Sequence, residues 1–136
     1  SHDGCHFAFT GGYENLGYHI YRQAASKLYG GTSHNVNPPN PASVQLVGTD
    51  KLKITFRNVA DNYVYEAGVE ADFQVVGAPV SVTGGIVSGN ELLLQLSGNA
   101  TNATHLLYGG RQFSGQWVTN ANGVGMVSFS EPILPP

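Results

Sequence analysis

The sequence predicts a mainly β chain: an antiparallel β-sandwich, of jelly-roll or immunoglobulin-like kind, preceded by one N-terminal helix. Three observations lead there. The apolar period is that of a helix up to about residue 29 and two residues from about residue 42 onward. Between them lies a stretch rich in proline and asparagine. Eighteen glycines and frequent Val, Thr, Tyr and Phe favour turns and strands throughout the rest. At 136 residues the chain has room for one proper core and not for two full-sized domains.

The helical stretch is YENLGYHIYRQAASKLY, residues 13–29. Leu16, Ile20, Ala24 and Leu28 recur every four residues and form one apolar stripe. Lys27 suits the negative C-terminal end of the helix dipole, and Gly30-Gly31 is a stop signal. Residues 30–43, GGTSHNVNPPNPAS, hold three prolines and read as a linker, which divides the chain into 1–31, 32–43 and 44–136.

Beyond the linker, residues 43–47 and 51–57 read as strands joined by the turn Gly48-Thr49-Asp50. Leu52, Ile54 and Phe56 alternate inward with Lys51, Lys53 and Arg57 on the solvent face. Residues 71–76 and 80–83 are further strands. Segments 85–88 and 91–96 flank Gly89-Asn90, a two-residue hairpin signal. Residues 104–108, 116–119 and 124–129 complete a sandwich of about 95 residues.

Charge and composition exclude several partners. Only 11% of residues are charged, and the net charge is −3. Neither nucleic acid nor an anionic membrane is invited by that balance. No apolar run approaches the ~20 residues of a membrane-spanning helix. A single cysteine, Cys5, rules out an intrachain disulfide. No cofactor-binding motif is present. His2, Asp3 and His6 make at most a weak metal site, and Asp61, Glu66, Glu70 and Asp72 lack the texture of a calcium loop, so no metal is expected. The four acids read instead as surface carboxylates facing the basic strand. The polar texture suggests an extracellular, secreted protein. The tandem sequons at Asn99 and Asn102 read as a polar loop.

The opening, SHDGCHF, places Asp3 three residues before His6. A carboxylate at that spacing can orient an imidazole and stabilise its protonated form. The longer stretch, DGCHF followed by GYENLGYHIYR, resembles the last catalytic block of the SGNH (GDSL-type) hydrolases and the helix that follows it. The resemblance implies that Asp3 is the acid and His6 the base of a Ser-His-Asp triad. It also implies that the remainder resembles the accessory β-sandwich behind the catalytic domain of some bacterial carbohydrate esterases. The family's Gly-Asp-Ser nucleophile block does not occur in this sequence, and Gly-x-Ser-x-Gly is absent too. The opening therefore reads as the cut end of an esterase site. Asp3 and His6 are a vestigial pair, inactive without nucleophile and oxyanion donors, and the missing catalytic domain is an expected partner.

A second reading makes the sandwich a binding module for plant polysaccharide or an oligosaccharide. Trp117 is the only tryptophan; Tyr108 and Phe113 lie shortly before it, Asn120 and Asn122 shortly after. Indole and phenol rings stack on sugar C–H faces while amides bond the hydroxyls. Tyr63 and Tyr65 form a second aromatic pair, on one face if their segment is a strand. A third reading is a purely structural sandwich. Exposed rings favour binding; buried rings favour a scaffold.

Overall fold

The computed structural model describes residues 12–110 and 116–136. The chain divides into two compact units, residues 1–37 and 38–136.

In the first unit, helix α1 spans Glu14–Leu28, with Glu14 in its first turn and Lys27 in its last. The helix ends as its sequence dictates. Gly30 adopts φ 69°, and the N–H groups of Tyr29 and Gly31 both donate to the carbonyl of Ala25, at 3.2 and 2.9 Å. Arg22 lies over the Tyr18 ring, 4.1 Å from its centroid, one turn apart. Within its own unit α1 buries none of its residues.

Among its described residues the second unit has nine strands: β1 Pro41–Val47, β2 Lys51–Phe56, β3 Tyr63–Tyr65, β4 Phe73–Val76, β5 Val82–Ser88, β6 Glu91–Leu96, β7 His105–Tyr108, β8 Val118–Asn120 and β9 Phe129–Leu134. A 3-10 turn, Val69–Asp72, precedes β4. Seven strands form one curled sheet in the order β4-β7-β9-β1-β2-β6-β5, and β3 pairs with β8 in a second, two-stranded sheet. The result is the mainly β, sandwich-like fold that the alternating pattern implies.

The alternation places the core. In β2 and β6 every second residue is buried, so Leu52, Ile54, Phe56, Leu92, Leu94 and Leu96 face inward. Val44 and Leu46 from β1, Leu106 and Tyr108 from β7, Val118 and Met126 join them in the same cluster, with Tyr63, Phe73, Val75 and Val82 among others. Each large buried side chain contributes ~1.5–3 kcal/mol of burial. Phe73, Tyr108 and Phe129 occupy one cross-strand row of β4, β7 and β9. Their adjacent ring centroids lie 4.8 and 5.8 Å apart.

The structure differs from the sequence reading in several places, the first being that residues 41–43, read as linker, already belong to β1 in the interior of the large sheet. The sheet is not wholly antiparallel: β9 runs parallel to β1, pairing Val44 with Ile133. The expected strand at 124–129 is largely irregular, and the strand lies at Phe129–Leu134 instead. The expected strands 80–83 and 85–88 are one strand, with a register shift between Val82 and Gly84.

Candidate functional site

Of the described residues singled out as ligand-binding, Tyr63, Tyr108 and Asn120 are buried, and Tyr65, Trp117 and Asn122 are half-buried. Tyr63 is 7% exposed. Its ring stacks on Phe56 at 4.1 Å, and its hydroxyl donates to the carbonyl of Asn58 at 2.7 Å. Burial, reinforced by the Asp61 charge, pushes its phenol up to about 12. Tyr65 shares that face: its ring covers the backbone of Gly85, and burial beside the Glu70 carboxylate raises its phenol further.

Tyr108 is 2% exposed, and its hydroxyl accepts from the backbone N–H of Val118 at 3.4 Å. Asn120 is 1% exposed. Its Oδ1 accepts from the N–H groups of Asn122 and Val124, at 3.0 and 3.1 Å, and so ties the turn after β8. Asn122 is half-buried in that turn.

These positions correct the expectation of an exposed stacking surface at Tyr63, Tyr108 and Asn120. Rings on inward-facing strand positions fill the core because alternation leaves them no solvent to meet. Asn120 is held by backbone donors, not presented to a sugar. Trp117 is half-buried. Its ring packs on Gly125 and beside Gly110, and its backbone N–H donates to Glu66 Oε2 at 3.0 Å. Phe113, Asp3, His6, His2 and Cys5 lie outside the described residues.

The acidic cluster is also corrected. Asp61 and Asp72 are 5% and 3% exposed. Asp61 accepts from the Asn58 side-chain amide at 3.2 Å, and Glu66 holds the Trp117 backbone. Asp61 and Glu66 serve local loop structure, and the buried Asp61 and Asp72 do not form a solvated face toward β2. On that strand Lys53 pairs instead with Glu91 of β6, at 3.3 Å. Among the described residues, no three His, Cys, Asp or Glu side chains converge to hold a metal ion. No described helix is long and apolar enough to cross a membrane.

A feature that the sequence reading passed over lies on the opposite face of the large sheet. A groove of about 550 Å³ runs across β5, β6 and β2, lined by Lys51, Gly84, Gly85, Ile86, Leu93 and Gln95. The signal for it was present in Gly84-Gly85 within an apolar strand, but only the strand register shows which residues line up.

No family model and no curated protein matches this chain. Its fold is similar to parts of solved structures. One is the N-terminal part of the bacterial S-layer protein SbsC, with a TM-score of 0.54 at 12% identity, covering 71% of this chain and 23% of that one. Another is the S-layer protein rSbsC(31-844), with a TM-score of 0.56 at 15% identity, covering 82% of this chain and 15% of that one. A third is surface layer protein SbsC, domains 1-6, with a TM-score of 0.53 at 13% identity, covering 71% and 13%. The chain thus spans less than a quarter of each. At these identities the likeness is one of fold.

Proposed function

We propose that residues 38–136 are a non-catalytic β-sandwich module of an extracellular protein, and that its N-terminal unit is the end of an SGNH-type catalytic domain acting on carbohydrate esters. The observation that carries the module reading is the orientation of its aromatic rings. Tyr63 and Tyr108 are built into the core and Tyr65 packs against it, so these three rings form no exposed row among the described residues. The fold's likeness to parts of bacterial S-layer structures supports an extracellular setting. The catalytic parentage rests on the Asp3-x-x-His6 block with a helix directly behind it, Glu14–Leu28. A helix that buries nothing within its own unit suits one element of a larger domain.

A polysaccharide-binding role for the sandwich is the second reading. Trp117 favours it, since this ring keeps partial exposure with Asn122 close by in sequence.

The test uses the chain as it stands. Hydrolysis of p-nitrophenyl acetate should not exceed that of a histidine-containing control, because no nucleophile or oxyanion donors accompany His6. Turnover at ~1–10³ s⁻¹, abolished by His6→Ala, overturns the non-catalytic reading. A pull-down on insoluble xylan and cellulose should leave the protein in the supernatant. Retention lost in a folded Trp117→Ala variant replaces the scaffold reading with the binding one.

A further inference from the structure

The loop between β6 and β7 carries two Asn-x-Thr triplets, Asn99-Ala100-Thr101 and Asn102-Ala103-Thr104; no other Asn-x-Thr or Asn-x-Ser occurs in the sequence. The fold holds this loop by its backbone. Ala100 is fully buried, and its N–H donates to the Thr49 carbonyl at 2.7 Å. The N–H of Ala103 closes a turn onto the Ala100 carbonyl at 2.9 Å, and that of Thr104 donates to the Val76 carbonyl at 2.8 Å. The middle alanines are the buried and half-buried members of the two triplets. Asn99, Thr101, Asn102 and Thr104 are all exposed.

A polar loop accounts for the first triplet and not for the second. Asn99 Oδ1 accepts from the N–H and the hydroxyl of Thr101, at 2.9 and 2.8 Å, so this asparagine ties its own turn. The Asn102 side chain makes no hydrogen bond among the described residues. Two residues on, the exposed Thr104 hydroxyl donates only at 3.4 Å, to the carbonyl that the Thr104 N–H already engages. An amide and a hydroxyl at this spacing on a surface loop are the acceptor pattern of N-linked glycosylation. Composition adds a reason. With 11% charged residues the chain carries little of the surface charge that keeps proteins soluble. A neutral, hydrated glycan supplies solubility by another route.

We propose that Asn102 is the acceptor for an N-linked glycan, transferred by a membrane enzyme from a lipid-pyrophosphate-linked oligosaccharide. The bond between sugar C1 and the pyrophosphate oxygen breaks as C1 bonds to Asn102 Nδ2. The amide loses one proton to a base of the transferase, and the lipid pyrophosphate leaves. The Thr104 hydroxyl is the recognition group. The sugar is added to a side chain without a protein partner, so the fold gives up no hydrogen bond. The proposal rests on the extracellular reading above, since the donor lies on the route of exported chains.

The experiment places a cleavable secretion leader before the full chain and expresses it in a eukaryotic secretory host, which supplies the donor. Export then no longer depends on the chain's natural destination, so a failure here is separate from a failure of the extracellular reading. Intact mass should show one glycan. Its removal by peptide N-glycosidase in ¹⁸O water should leave the label at position 102. Asn102→Gln and Thr104→Ala should each abolish the glycan, and Asn102→Gln should leave Tm unchanged. Asn99→Ala should keep the glycan and lower Tm, because it breaks the bonds that tie the turn. A chain that enters the secretory pathway, secreted or retained, and carries no glycan overturns the proposal. So does a glycan on Asn99, or one that persists in Asn102→Gln.

Discussion

The ring of Trp117 rests on the bare backbone of Gly125: a Cβ added at that glycine would stand 2.6 Å from Cζ3 of the indole. The tryptophan is therefore seated by a missing side chain, and the two residues form one packing unit. Gly125→Ala should force the indole out of place, at a cost of about 1–3 kcal/mol. For a unit of this size each kcal/mol is worth roughly 4–8 °C in Tm. A melt followed by tryptophan fluorescence checks both the loss and the displaced ring.

Gly84 and Gly85 are neighbours with opposite constraints. A Cβ on Gly84 meets open space, whereas one on Gly85 would lie 2.6 Å from Tyr65 Cε2. Gly84→Ala should leave the fold intact and stabilise it by up to about 0.5–1 kcal/mol, through the strand entropy that glycine forfeits. Gly85→Ala should destabilise by about 1–3 kcal/mol. Urea denaturation of the two variants, side by side, reads the difference. Equal stability of the two would refute the placement of Tyr65 over β5.

Asn120 should matter as structure. Asn120→Ala strands two backbone N–H groups that now donate to its Oδ1, with an expected loss of about 1–3 kcal/mol. Amide exchange at Asn122 and Val124 should accelerate in the variant. Unchanged protection there would show that the turn is held by something else.

The buried tyrosines set an alkaline limit. The Tyr63 phenol is raised to about 12, above its ordinary 10.0, and Tyr65 is raised as well. The folded state thus keeps protons that the unfolded chain releases. The stabilisation is whole below pH 10 and is lost as pH rises from 10 toward 12. Tm should fall across that window. Tyr63→Phe should flatten part of the fall, and absorbance at 295 nm should show late-titrating tyrosines that become ordinary on unfolding.

The helix and the two hairpins were legible because each is a local pattern. Leu16, Ile20, Ala24 and Leu28 keep a helical period, and the turns Gly48-Thr49-Asp50 and Gly89-Asn90 join strands close in sequence. Strand β9 was not legible for the same reason reversed. Pro132 argues against an interior strand, yet β9 lies between β7 and β1, which are distant in sequence, with Pro132 opposite His105. The candidate site failed differently. Composition marks Tyr63, Tyr108 and Asn120 as aromatic or amide groups suited to a sugar, but only the register of β3, β7 and β8 reveals that each faces the core. The row Gly84, Gln95 and Lys51 is likewise a product of register across three strands, invisible in any single one.

The position of β9 also has a consequence for biosynthesis. The strand nearest the C-terminus, Phe129–Leu134, joins two halves of the large sheet, β4-β7 on one side and β1-β2-β6-β5 on the other. Until those six residues have left the ribosome, β1 and β7 each lack a partner, and the hairpins made earlier cannot be closed into one sheet. Closure of the large sheet therefore waits on pairings between segments far apart in sequence, the slowest kind to form.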